Sequence, residues 1–277
     1  MSEALILVTG GTGGLGRRVV ARLRSSGRDV RVLSRHAHEP ANGVKYVVGD
    51  LEKNQGVDAA VAGSEIIVHC AAVGQINEDR AQAVNLARAA RQAGVRHLVS
   101  ISVVGAERVP VKTAVDRSMF AYFASQRAKE LVIEESGLPW TNLRATQFHD
   151  GFMLLMLRAL SSLPVVPLPA ETRFQPVDTD EVADALVELA LGEPAGQAPD
   201  IAGPKIYDAE YLLRSYLRVV GKRRAIIKVK VPGAAAAAIR AGANLAPDRM
   251  VGRRTWEDFL AGYEQSKGAP ARTVRPS

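Results

Sequence analysis

The sequence predicts an α/β fold: a doubly wound parallel sheet with a smaller C-terminal α/β cap. Three observations predict it. Short apolar runs alternate with helix-length amphipathic stretches over the first half, which is the rhythm of βαβ units. A glycine triplet sits between the first apolar run and the first helical stretch. Past residue 150 the alternation breaks, and Pro164, Pro167, Pro169, Pro176, Pro194, Pro199, Pro204 and Pro232 punctuate shorter elements.

Taken in order, the expected strands are Ala4–Thr9, Asp29–Ser34, Val44–Gly49, Glu65–Ala71, His97–Val103 and Trp140–Arg144. Several are nearly continuously apolar, as strands buried on both faces are. Helices are expected near Gly14–Ser26, Gln55–Ala62, Arg80–Gln92 and Met119–Ser136, the third stopped by Gly94. In the second half, the Thr179 hydroxyl before Asp180 and Glu181 reads as a helix N-cap. Asp208–Val220 and Thr255–Ala261 read as amphipathic helices, and Ser266–Ser277 as a frayed tail. The resulting division is residues 1–150 as a dinucleotide-binding core and residues 151–277 as a substrate cap interleaved with it.

The chain has 277 residues, 47% hydrophobic and 23% charged, which suits one sizeable core and excludes disordered, collagenous and coiled-coil classes. A single cysteine, Cys70, excludes an internal disulfide and fits a reducing compartment. With no signal-like N-terminus and no apolar run near 20 residues, the expected location is cytoplasmic, without a membrane. Of the net charge of +7, the segment from Pro204 onward supplies +9 and the rest −2. The clusters Lys222-Arg223-Arg224 and Arg253-Arg254 read as a solvated face, because no nucleic-acid recognition motif accompanies them. The five histidines show no metal-ligand spacing, so no metal is expected.

The strongest local signal is Thr9-Gly10-Gly11-Thr12-Gly13-Gly14-Leu15-Gly16, where a strand runs into glycines at i, i+3 and i+6 and a helix follows. Gly10 permits the tight turn, Gly13 lets backbone amides approach a pyrophosphate, and Gly16 lets helix and strand pack closely. Thr12, Gly14 and Leu15 complete the loop. The second strand ends Ser34-Arg35, where NAD-specific folds place an acid. A cation there pairs with a 2′-phosphate, so NADP(H) is favoured over NAD(H); a solvated surface arginine is the alternative. Asp50 and Leu51 close the third strand, the first to accept from an adenine amino group and the second to pack on the ring, with an ordinary turn as the alternative.

These residues resemble the short-chain dehydrogenase/reductase superfamily in its atypical NmrA-like branch. Further marks are Gly94–Ser102, Ser136–Phe148, Phe174–Asp178 and Gly252–Trp256. The resemblance covers nearly the whole chain and implies a Rossmann core, NAD(P)H, and a substrate pocket between the sheet's C-terminal edge and the cap. Family members that are catalytic use a serine at the end of strand five and a Tyr-x-x-x-Lys on the next helix. Ser102 matches the serine, Tyr122 the tyrosine, and Gln126 stands where the lysine would be.

That replacement matters, because the lysine holds the nicotinamide ribose and lowers the tyrosine pKa. Gln126 can hydrogen-bond a ribose but supplies no charge. Lys129, one turn further on, reads as a solvated helix charge, with a replacement ammonium as the alternative. Tyr122 with Ser102 forms a proton-donor pair, or Tyr122 is a pocket-wall aromatic. Ala71, Ala72 and Val73 follow strand four beside the cofactor, and Thr146 lies near the nicotinamide carboxamide. Gln147, His149 and Met153 are candidate substrate contacts; for His149 a structural role, and for Met153 a place in the helix core, are the alternatives.

Three functions fit: an NADPH-dependent reductase of a small carbonyl, quinone or enone; a non-catalytic NADP(H) sensor of the NmrA type; or an epimerase, dehydratase or isomerase. The partner is a small molecule in each, and related folds leave a homodimer open.

Overall fold

The computed structural model describes residues 4–40 and 43–268. Its strands are β1 (Ile6–Thr9), β2 (Val30–Ser34), β3 (Val44–Val48), β4 (Ile66–His69), β5 (His97–Val103), β6 (Trp140–Ala145), β7 (Val165–Pro169), β8 (Arg173–Phe174), β9 (Gly196–Gln197), β10 (Tyr207–Asp208) and β11 (Ala225–Val229). The helices are α1 (Gly14–Ser25), α2 (Val57–Val61), α3 (Ile76–Gln92), α4 (Ala114–Glu134), α5 (Leu154–Ser161), α6 (Thr179–Leu191), α7 (Ala209–Val219), α8 (Ala234–Arg240) and α9 (Trp256–Gly268).

Seven strands form one sheet in the order β3-β2-β1-β4-β5-β6-β9, and every pairing in it is parallel. The register sets Val8 beside Val32 on one side and Val68 on the other. Such apolar positions are affordable only where helices cover both faces. On one face, Val8, Val19, Leu23, Val99 and Leu186 form a core with α1 and α6; on the other, Leu7, Ile67, Leu86, Leu98 and Ile133 form a core with α2, α3 and α4. Strand order reverses between β1 and β4, and a parallel sheet opens its ligand crevice at the carboxyl ends on either side of that point.

Beyond residue 150 the chain builds a third core from Met153, Leu157, Leu212, Tyr216, Trp256 and Phe259, with β7 and β11 as a separate parallel pair. Pro167 and Pro169 lie inside β7, since a two-stranded sheet consists only of edges and tolerates a missing N–H. The same half returns to the main sheet: α6 packs against the α1 face, and β9 pairs with β6, Gly196 beside Thr141.

Three helix starts differ from expectation, and the first is α3, which opens at Ile76, four residues before Arg80. α4 begins five residues before Met119 because Thr113 and Asp116 form a capping box, the Asp116 amide donating to Thr113 Oγ1 at 3.1 Å and the Thr113 amide to Asp116 Oδ2 at 2.9 Å. α6 is capped by Asp178, not Thr179: the Asp180 amide donates to Asp178 Oδ1 at 2.8 Å, and Thr179 becomes the first helical residue with its hydroxyl donating to Asp150. The tail expected to fray lies, from residue 269 on, outside the described residues. Among the described residues no helix is long and apolar enough to cross a membrane, and no three His, Cys, Asp or Glu gather as a metal site.

Candidate functional site

The glycine loop is shaped by close backbone approach. Gly10 adopts φ +68°, and a Cβ there would stand 2.7 Å from the Ala71 nitrogen of the neighbouring strand end. A Cβ on Gly16 would stand 2.1 Å from the Gly10 carbonyl oxygen. Only glycine lets α1 start this near β1. The Gly13 amide donates to Gly10 O at 2.9 Å, and α1 opens at Gly13 with no side-chain cap and no acid in its first turn. Its first-turn amides therefore face outward with a favourable dipole for an anion. Thr12 and Gly14 are exposed on this loop, whereas Leu15 turns into the core.

Beside it, Arg35, His36, Gly49, Asp50 and Lys53 line a cleft of about 510 Å³. Arg35 is exposed, and Lys53 brings a second cation from the loop after β3, which sequence reasoning passed over. Ser34 is buried, its Oγ accepting from the His36 amide at 3.2 Å and sharing a 3.0 Å hydrogen bond with His38 Nε2. Asp50 Oδ1 accepts from the amides of Glu52 at 2.9 Å and Lys53 at 3.1 Å, which fixes the cleft floor. Leu51 is a correction: it is buried against Val57 and Val61 and does not line this cleft.

Between cleft and cap runs Ala71-Ala72-Val73-Gly74, Ala72 and Val73 exposed. A buried carboxylate holds this segment: Asp79 accepts from the Val73 amide at 2.7 Å and the Gly74 amide at 2.9 Å, and from Ser125 Oγ at 2.8 Å. Gln126 is also drawn inward. It is fully buried, its Nε2 directed at Asp79 and Ser125 at 3.5 Å, and its Oε1 accepting from Lys129 Nζ at 2.5 Å.

This corrects two expectations. Gln126 does not face the pocket, so it is neither a ribose ligand nor a catalytic group in this arrangement. Lys129 is not a solvated charge: it is completely buried, donating also to the Ile101 carbonyl at 2.5 Å. Burial pulls its ammonium down to about 8, opposed by the carboxylates of Asp79 and Glu130. In α4 one turn separates the two residues, which lets the ammonium reach the Gln126 amide. No periodicity signals this, because α4 places polar residues on its buried face.

A cavity of about 470 Å³ opens at the carboxyl ends of β5 and β6. Ser102, Tyr122, Thr146 and Gln147 all line it. Tyr122 exposes 46% of its surface there, beside Gly74, whose added Cβ would meet the ring at 3.4 Å. Desolvation, reinforced by Asp79, pushes the Tyr122 phenol up to about 12. Ser102 Oγ makes no close hydrogen bond, yet it lies near Glu130. That carboxylate is buried, and despite desolvation Arg144 and Ser102 hold it below the usual range. Arg144 clasps it at 2.8 Å through both Nε and Nη2. Thr146 Oγ1 is buried at the cavity wall and has no hydrogen-bond partner among the described residues. Gln147 is committed on both sides, Nε2 to Asn244 O at 3.1 Å and Oε1 to the Gln175 amide at 3.2 Å.

His149 and Met153 are corrections. Neither lines the cavity: Met153 is fully buried in the cap core, and His149 is buried with its ring stacked on Phe259 at 5.3 Å. The π-helical turn His149–Met153 aims both into the aromatic cluster of α9. The walls come instead from Phe120, Phe123, Phe152, Leu155 and Phe174, with Arg240 of α8 among them.

A family model described as NAD(P)H-binding matches residues 10–191. The chain is 30% identical over 224 residues to a (4-alkanoyl-5-oxo-2,5-dihydrofuran-3-yl)methyl phosphate reductase of Streptomyces griseus, covering 79% of this chain and 74% of that protein. It is 26% identical to an NAD(P)H azoreductase of Xenophilus azovorans, over 97% of this chain and 95% of the relative. Among solved structures, an NADPH-dependent quinone oxidoreductase of Escherichia coli complexed with NADPH superposes with a TM-score of 0.74 over 93% of this chain and 99% of that one; at 16% identity this likeness concerns the fold.

Proposed function

From the premise that the chain belongs to the NAD(P)H-binding family, we propose that it is an NADPH-dependent reductase of quinones, enones or activated carbonyls, of the short-chain dehydrogenase/reductase kind in its NmrA-like branch. The observation that carries the proposal is the apolar cavity whose few polar groups, Ser102, Tyr122 and Thr146, converge at the strand ends.

The cradle fits a dinucleotide. Gly10, Gly13, Gly14 and Gly16 would receive the pyrophosphate on the open N-terminus of α1, and Thr12 and the Leu15 backbone would frame it. Arg35, with Ser34 behind it and Lys53 opposite, would take a 2′-phosphate, and Asp50 would border the adenine. Ala71, Ala72 and Val73 would flank the ribose, and Thr146 Oγ1 would bond the carboxamide. The bound nicotinamide supplies the hydride. Asp79 keeps the 71–74 segment in place, and the aromatic walls exclude water from the acceptor.

Tyr122 and Ser102 would donate hydrogen bonds to the acceptor oxygen. A phenol near 12 with no ammonium beside it stabilises developing charge less than the usual tyrosine–lysine pair. Acceptors that delocalise that charge themselves, quinones and enones, suit this site better than plain ketones. Relatives named as reductases of an oxo-dihydrofuran phosphate and as an azoreductase support conjugated acceptors. The inward turn of Gln126 favours a second reading, a non-catalytic NADP(H) sensor.

Steady oxidation of NADPH with 1,4-naphthoquinone tests the choice: turnover is expected, and tight NADPH binding with none across quinones and enones would leave the sensor. For the cofactor, Arg35→Asp is expected to weaken NADPH about tenfold or more, the worth of one charge-assisted pair, while NADH changes little. Equal loss of both removes the 2′-phosphate assignment.

A further inference from the structure

Among the described residues, the cavity has one charged residue in its wall, Arg240. It is the last residue of α8, whose first five residues are alanines. Ala235 and Ile239 are buried with Val109 and packed against Phe120 and Phe123 of α4, so small side chains let α8 lie close and carry Arg240 to the cavity wall. Its Nη1 donates to the Val231 carbonyl at 2.8 Å, and Val231 lines the same cavity, which fixes the guanidinium there.

Several arginines are answered by carboxylates, Arg144 by Glu130 and Glu107, Arg254 by Asp178 and Arg127 by Glu134, whereas Arg31 donates to the Ala60 and Ala62 carbonyls. Among the described residues no carboxylate lies within 4.0 Å of Arg240. A guanidinium offers five donors in a fork, and one carbonyl occupies only part of it. A neutral ligand filling this cavity would strip water from that cation without replacing the interaction; an anionic one would answer it. The rest of the wall, aromatic and aliphatic, calls for a hydrocarbon or aromatic body.

We infer that Arg240 anchors the acidic head, carboxylate or phosphate, of an amphiphilic acceptor whose apolar body fills the cavity. The inference deepens the reductase reading and rests on it for the reaction, but its own claim concerns binding. It names the substrate class as anionic and largely apolar.

Calorimetric titration of the full chain with decanoate, decyl phosphate and decan-1-ol tests it. The expected result is that at least one anion binds tenfold or more tightly than the alcohol, the better of the two identifying the head group. Arg240→Gln, which keeps a donor for Val231, is expected to erase that preference while decan-1-ol affinity stays within twofold; Arg240→Lys should recover part of it. Equal binding of acid and alcohol, or parallel loss of both in Arg240→Gln with the fold intact by circular dichroism, overturns the inference. Because no turnover is read, absence of NADPH oxidation would sink the reductase reading alone, and indifference to charge in an active enzyme would sink only this one.

Discussion

The two ends of the crevice are built from different materials. At the β1–α1 end, contact surfaces are backbone: glycines, outward amides and a helix terminus, with closeness enforced where a single Cβ would collide. At the β5–α4 end they are side chains, held by a buried polar lattice running from Asp79 through Gln126 to Lys129, with Glu130, Arg144 and Asn142 beside it. A backbone site tolerates little addition, whereas a side-chain site tolerates little deletion. The first is fixed by close backbone approach, and the second by pairs such as Gln126 with Lys129.

Deletion in the lattice should have the largest effect. Glu130→Ala removes one of the two carboxylate partners of the partly buried Arg144, leaving it Glu107 at 2.6 Å. Loss of about 3–5 kcal/mol is expected in urea unfolding, the range for breaking a buried pair. A loss below about 1 kcal/mol would mean that the lattice is solvated and the contrast between the two ends is overdrawn.

Lys129 gives the lattice a pH signature. The folded chain releases this proton near pH 8, whereas the unfolded chain holds it to the ordinary 10.5. Below pH 8 the buried ammonium is a full penalty; between pH 8 and 10.5 the unfolded state binds more protons, so this group makes stability rise with pH. The amplitude is on the order of 3 kcal/mol. Lys129→Met should remove that rise, seen as a flatter plot of urea midpoint against pH than wild type. Parallel plots would mean that the ammonium is not desolvated.

Legibility in the sequence follows the same division. Gly10, Gly13 and Gly16 are visible because a backbone constraint leaves a residue-type signature, and continuous apolar strands announce a sheet covered on both faces. The placement of Arg35 beside Asp50 was readable from strand ends alone. Gln126, Lys129 and Asp79 were not, because a polar residue on a helix carries no mark of being buried until its partners on α3, α4 and β5 are known. His149 and Met153 take the structural alternatives that the sequence leaves open, both turned into the cap's aromatic core by the irregular turn around Gly151. Arg240 follows an alanine run whose only sequence message is a small-residue helix.

Addition at the backbone end should come next in size. Gly16→Ala places a Cβ where the Gly10 carbonyl stands, so α1 and the loop must separate. Overpacking of this kind costs about 1–3 kcal/mol, read as a lowered urea midpoint and about ten- to hundredfold weaker NADPH binding. Gly14→Ala is the matched control for the urea midpoint, since nothing lies within 4 Å of its added Cβ. Equal effects of the two substitutions on that midpoint would remove close approach as the reason for the glycines.

The smallest expected effect lies where the two materials meet, at the start of α4. The Thr113–Asp116 box satisfies amides at the head of the helix that carries Tyr122, Gln126 and Lys129. Thr113→Ala should cost about 1 kcal/mol, the usual worth of a cap. If the helix is held chiefly by its buried lattice, that loss stays local: the first turn frays, shown by faster amide exchange at Asp116 and Arg117, while the Lys129 pH profile is unchanged. A shift of that profile would mean that the cap positions the lattice, tying the side-chain end of the crevice to a backbone device after all.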